Sequence, residues 1–102
     1  MYRLTFLPIA KQDMTDIVRY VSQELLNPTA ADVLANEMID AAERLCDFPY
    51  INAVHQTVTP LKHEYRKLLV KNYIMLYWVD EKDKIITIAR VIYARRDFEK
   101  HL

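Results

Sequence analysis

"YRKLLVKNYIMLYWVDEKDKIITIARVIYARRDFEKHL" (65–102) decides the fold. Three apolar, branched and aromatic runs lie close together: 65–70, 73–79 and 85–94. Lys71-Asn72 separates the first two, and "DEKDK" the second and third. Runs of this length with polar residues between them predict three consecutive antiparallel strands joined by tight turns. Asn and Asp are expected to supply the turn chemistry. The 102-residue chain contains no glycine. That excludes phosphate-binding loops whose backbone must approach a ligand through Gly, and with them P-loop and dinucleotide folds.

Working back from the meander, residues 50–64 have no clean period and read as a loop, with at most a strand fragment. Before them, Leu34, Met38, Ala41, Ala42 and Leu45 form an apolar stripe at helical spacing. This helix runs to about residue 47, where Phe48-Pro49 stops it. Its start has two candidate caps. Asn27 could cap with Pro28 in the first position, or Thr29 with Asp32 three residues on. Met14, Ile17, Val18, Val21 and Leu25 give the stripe of an earlier helix over 9–26. "YRLTFL" (2–7) alternates and reads as a strand that Pro8 ends. The order β-α-α-β-β-β predicts a single α+β domain over 1–102. It comprises an N-terminal strand, an antiparallel two-helix hairpin and a three-stranded antiparallel meander.

Composition narrows function further. Hydrophobic residues make up 52% and charged residues 27%, the balance of a globular chain. No apolar run is long enough to cross a bilayer, and the opening run leads straight into a charged helix rather than resembling a secretory leader. The lone Cys46 cannot form an internal disulfide, which fits a reducing cytoplasm. It reads as a small buried hydrophobe. One cysteine and no histidine pair at helical spacing give no metal-ligand pattern, and no cofactor is expected. Asp13 and Asp16 share a helix face with Lys11 and Arg19 and read as solvated surface.

The net charge is zero but split. Residues 1–54 carry four Lys/Arg and eight Asp/Glu, and residues 55–102 carry ten and six. This predicts an acidic face and a basic face. The basic set is Lys62, His63, Arg66, Lys67, Lys71, Arg90, Arg95, Arg96, Lys100 and His101. A concave sheet face lined by these cations would attract a phosphodiester chain, with Tyr65, Tyr73, Tyr77, Trp78 and Tyr93 available for stacking. Strict alternation puts Arg66 with Leu68 and Val70, and Arg90 with Ile86, Ile88 and Ile92. A charge inside an apolar row needs a partner. For Arg90 alone, an ion pair with a helix carboxylate is the better expectation. Most aromatics on a small sheet are core, Trp78 especially.

The segment 65–102 resembles the C-terminal half of the RelE/ParE toxins of bacterial type II toxin–antitoxin systems. An aromatic-Arg-x-Leu strand, "NYIMLYWVD" and "RVIYARRD" come in that family's order. The N-terminal half agrees, with Ala10 and Asp13 opening a helix, "NPTAA", and a helix ending "LCDFPY". The resemblance implies a helical hairpin on a mostly antiparallel sheet, and a toxin neutralised by a cognate antitoxin that wraps around it. An amphipathic antitoxin segment is expected over the helical hairpin or the basic sheet.

Two mechanisms are similar enough in fold to follow from this resemblance. In ribosome-dependent mRNA cleavage, Arg66 would clamp phosphate and Arg95 and Arg96 would stabilise the phosphorane. His101 would serve as acid or base. Lys62, His63, Lys67, Lys71, Arg90 and Lys100 would hold the RNA. In the ParE-like alternative the toxin poisons DNA gyrase without chemistry of its own, and Arg95, Arg96 and Asp97 are structural or target-binding. A non-toxic relative that only binds antitoxin is the third possibility. His101 and the basic sheet place cleavage first. Ile74, where RelE-like enzymes carry arginine, and Leu68 and Leu69, where they carry lysines, pull towards ParE.

Overall fold

The computed structural model describes residues 1–55 and 63–95. Its elements are β1 (Arg3–Phe6), α1 (Pro8–Arg19), a π-helical turn (Tyr20–Glu24), α2 (Pro28–Arg44), β2 (Arg66–Val70), β3 (Tyr73–Asp80) and β4 (Ile85–Tyr93). The four strands form one sheet in the order β1-β4-β3-β2. The three late strands pair antiparallel as the spacing predicts, and β1 joins β4 in parallel, Arg3 opposite Ile85. The architecture is α+β, with both helices on one sheet face.

The two helices are delimited by identifiable chemistry. Pro8 occupies the first turn of α1, where its missing N–H would have no intrahelical partner. Asn27 caps α2: its side-chain oxygen accepts from the Ala30 N–H at 3.1 Å, with Pro28 following. Of the two candidate caps, the Asn27 cap is the one used. The expected single helix over 9–26 instead widens after Arg19 into the π turn and ends in Leu26 at φ 52°. Lys71 and Lys84 share this left-handed conformation. In a chain without glycine, leucine and lysine take positions that glycine normally fills, at a cost of about 1–2 kcal/mol each.

The core lies between the hairpin and the sheet. Ala10, Val21, Leu34, Met38, Ala41, Ala42 and Leu45 pack against Val70, Met75, Tyr77, Ile86, Ile88 and Val91. A second apolar cluster, Ile74, Leu76 and Ile92 with Tyr65 and Ala94 against it, occupies the opposite face. Strict alternation fails in β4. Leu76 pairs with Arg90 but Tyr77 with Ile88, so Ala89 is an extra residue and the strand bulges. Ile86 and Ile88 therefore face the helices while Ile92 faces away. The row expected to unite them with Arg90 does not exist.

Candidate functional site

The bulge and the end of β1 together explain Arg90. β1 pairs with β4 only as far as Phe6 opposite Ile88, and Leu7 N–H donates to the Ile88 carbonyl. Beyond that point the edge of β4 meets α1. Asp13 Oδ2 accepts from the Val91 backbone N–H at 2.9 Å and from Arg90 Nε at 2.8 Å, while Oδ1 accepts from Arg90 Nη2 at 3.0 Å. The two side chains are 14% and 15% exposed. These hydrogen bonds push the Arg90 pKa further up against desolvation, so the guanidinium is always charged. Asp13 thus closes a strand edge and fixes a cation. The helix carboxylate expected for Arg90 is found here, on a residue that helical spacing alone had assigned to solvated surface. Asp16, one turn on, is solvated: it accepts from Gln12 and lies 3.7 Å from Arg19.

Arg66 lies across β3 from Arg90, on the edge strand β2 and one register level away. Its Nη1 donates to the Asn52 carbonyl at 2.7 Å, and Nη2 lies 3.4 Å from Glu64. The guanidinium carbon sits 4.9 Å from the centre of the Tyr50 ring, an arrangement in which the cation faces the negative π cloud. The side chain is 16% exposed. The same loop is gripped from below by Tyr77, whose buried hydroxyl donates to the Pro49 carbonyl at 3.1 Å and accepts from Asn52 Nδ2 at 3.3 Å. Burial raises the Tyr77 pKa, keeping the phenol protonated for this donation.

Glu81 completes the network. Its Oε2 accepts from the Tyr2 hydroxyl at 2.6 Å and from the Tyr50 hydroxyl, and its Oε1 from Lys84. Three donors stabilise the carboxylate and lower its pKa to about 2, Lys84 contributing most. The carboxylate in turn raises the Tyr50 pKa, chiefly through the hydrogen bond itself.

The remaining candidates fall at separate places. Lys71, in the β2–β3 turn, lies 3.6 Å from Glu37 on α2. Ala94 N–H donates to the Asn72 carbonyl at this same end of the sheet, and Arg95 follows, exposed. Arg66 sits opposite Tyr77, whereas Tyr93 sits opposite Tyr73, so four residues of β3 separate the levels of Arg66 and Tyr93. At strand rise that places Arg66 and Arg95 about 13 Å or more apart along the sheet. Lys67 lies on β2, half-buried. His63 stacks on Trp78 with ring centroids 3.8 Å apart and planes 2° from parallel, and Tyr65 meets both edge-on. Trp78 is half-buried; Tyr77 is the aromatic at the centre of the core. Lys62, Arg96, Lys100 and His101 lie outside the described residues.

The comparisons with known proteins agree with this architecture. A family model described as ParE toxin of type II toxin–antitoxin system, parDE, matches residues 4–98. The chain superposes on a structure of the chromosomal ParDE toxin–antitoxin system from P. aeruginosa with a TM-score of 0.74 and 18% identity, covering 93% of this chain and 98% of that one. It matches the intact E. coli RelBE toxin–antitoxin complex with a TM-score of 0.58 and 18% identity, over 94% of this chain and 100% of that one. The isolated E. coli RelE toxin gives 0.58 and 17%, over 99% and 93%. No curated protein matches by sequence. The fold is thus shared across ParE and RelE structures, and the family match spans nearly the whole chain: it belongs to the ParE toxin family of type II toxin–antitoxin systems.

Proposed function

We propose that this toxin arrests growth as a ParE-like inhibitor of DNA gyrase, by binding rather than by cutting RNA, and that a cognate antitoxin neutralises it. The observation that carries the reading is the chemistry of the sheet face turned away from the helices. It is built on Ile74, Leu76 and Ile92 with Tyr65 and Ala94 packed against them. A phosphodiester undergoing cleavage needs preorganised cations there. The two strand arginines nearest that task, Arg66 and Arg90, hold the 49–52 loop and Asp13 instead. The ParE family match supports the same branch, and the ParDE and RelBE complexes support an antitoxin partner.

One observation keeps the cleavage reading in play. Arg95 is exposed where β4 ends, open to a polyanion at that point. The test is induced expression followed by pulse labelling of DNA, RNA and protein, beside a supercoiling assay with purified gyrase. The proposal expects replication to stop first, supercoiling to be inhibited, and His101→Ala to leave toxicity unchanged. Prompt translation arrest with cut messengers, abolished by His101→Ala, would transfer the function to ribosome-dependent cleavage. Normal growth during expression would leave only antitoxin binding.

A further inference from the structure

Residues 48–51 form a tight turn in which the Phe48 carbonyl accepts from the Ile51 N–H at 3.3 Å, with Pro49 buried inside it. The ends of the turn point the other way. Phe48 is 60% exposed and Ile51 72% exposed. Two large apolar side chains thus stand in water at one tip. Such a pair is ordinarily left on a loop free to fold them back against the body.

Here the backbone beneath them is fixed. Tyr77 bonds Pro49 and Asn52, Arg66 bonds Asn52 and covers Tyr50, and Glu81 ties Tyr50 to Tyr2. The network draws on Tyr2, which precedes β1, on β2, on β3 and on the β3–β4 turn, which is more than one surface turn needs to persist. It does not bury Phe48 or Ile51; it presents them. Ordering a loop is a cost that binding otherwise has to meet, so a preformed apolar tip is suited to entering a pocket.

The charge beside the tip selects the partner. Asp40, Glu43 and Asp47 line an open depression of about 530 Å³ at the end of α2, together with Met1, Tyr2, Arg44 and Cys46, and Asp47 directly precedes Phe48. An apolar tip with an acidic border complements an apolar pocket with a basic border, as found on a protein that handles DNA.

We propose that the Phe48–Ile51 turn is the knob by which this toxin docks on its protein target, entering an apolar pocket bordered by Lys and Arg side chains. The inference rests on the gyrase reading above and assigns the surface that serves it.

The test compares wild type with the Phe48→Ser/Ile51→Ser double variant and with Glu43→Lys/Asp47→Lys. All four positions are exposed, and thermal unfolding establishes that each variant folds. Inhibition of purified gyrase and binding to the purified cognate antitoxin are measured side by side. The double serine variant is expected to need about thirty-fold more protein for half-inhibition, the effect of losing an anchor residue. The lysine variant is expected to weaken inhibition at low salt and much less at high salt. Both should bind antitoxin as wild type does. Unchanged gyrase inhibition by the double serine variant overturns the knob while the gyrase reading stands. Loss of antitoxin binding also overturns it, because the antitoxin is then the occupant. Wild type that does not inhibit gyrase sinks the functional reading and the knob with it.

Discussion

Replacing Asp13 by Ala should be among the most damaging single changes on the helices, although the residue sits on a polar helix face. The carboxylate accepts three hydrogen bonds, two from Arg90 and one from the Val91 backbone. Both side chains are about 85% buried, so solvent cannot readily replace the lost partner. Removing one member of a buried pair costs about 3–5 kcal/mol, mostly the penalty on the charge left behind. The Val91 N–H would alone account for about 1–3 kcal/mol, but it shares the same acceptor and does not add in full. A loss of about 4 kcal/mol is a large part of the 5–15 kcal/mol typical of a domain. It corresponds to a fall in Tm on the order of 20 °C. Urea and thermal unfolding measure it. Asp16→Ala, one turn away and solvated, is the control and should change stability by less than about 0.5 kcal/mol. If Asp13→Ala costs under about 1 kcal/mol, or matches Asp16→Ala, the pair does not hold β4. Arg90 then regains its standing as a nucleic-acid contact.

Three further perturbations probe the other supports. Tyr77→Phe removes the donor to the buried Pro49 carbonyl and should cost about 1–3 kcal/mol in urea unfolding. It should also speed hydrogen exchange in residues 49–52. Leu26→Gly relieves a left-handed leucine that is 82% exposed, and should raise stability by about 0.5–1 kcal/mol; a loss instead would mean that Leu26 packs. Glu81 has its pKa depressed in the fold from 4.5 to about 2, so its contribution is fully present above pH 4.5 and is lost as pH falls through about 2. Glu81→Gln should therefore flatten that part of the acid unfolding profile, and an unchanged profile would mean that the tyrosine and lysine bonds to it are not kept in solution.

Most of the fold was legible because each element announces itself locally. The short polar breaks at 71–72 and 80–84 fix the meander, and Asn27-Pro28 both caps α2 and separates the helices. What escaped depends on parity and on distance. "IITIARVIY" is apolar on both faces, so periodicity carries no sign of the extra Ala89 that turns Ile92 away from Ile86 and Ile88. In the two strand turns the left-handed residues are Lys71 and Lys84, where asparagine and aspartate are the natural turn formers. Asp83 N–H does bond the Asp80 side chain, so that expectation holds for the second turn. Asp13 was misread because a helical wheel sees only its own helix, and β1 ending short of Val91 is a tertiary event. Arg66 was the reverse case. Its cationic strand position suggested phosphate, but its acceptor is a backbone carbonyl in a loop with no sequence period.

That distinction bears on how one scaffold serves two kinds of toxin. An arginine on a strand is available to a ligand only if the surrounding chain leaves its fork unoccupied. Here two of the three arginine and lysine positions on β2 and β4, Arg66 and Arg90, are gripped by acceptors from the 49–52 loop and α1. The exposed cations Lys71 and Arg95 lie where β2 and β4 end, whereas the Phe48–Ile51 turn and its neighbouring acids lie where those strands begin. Both ends nevertheless carry cations, since Lys84 directly precedes β4 and Arg44 lies among the acids. Charge reversal at Glu43 and Asp47 acts on only one of them. Its effect on binding to the proposed target, and the salt dependence of that effect, consequently report which end meets it, independently of how many cations the sequence contains.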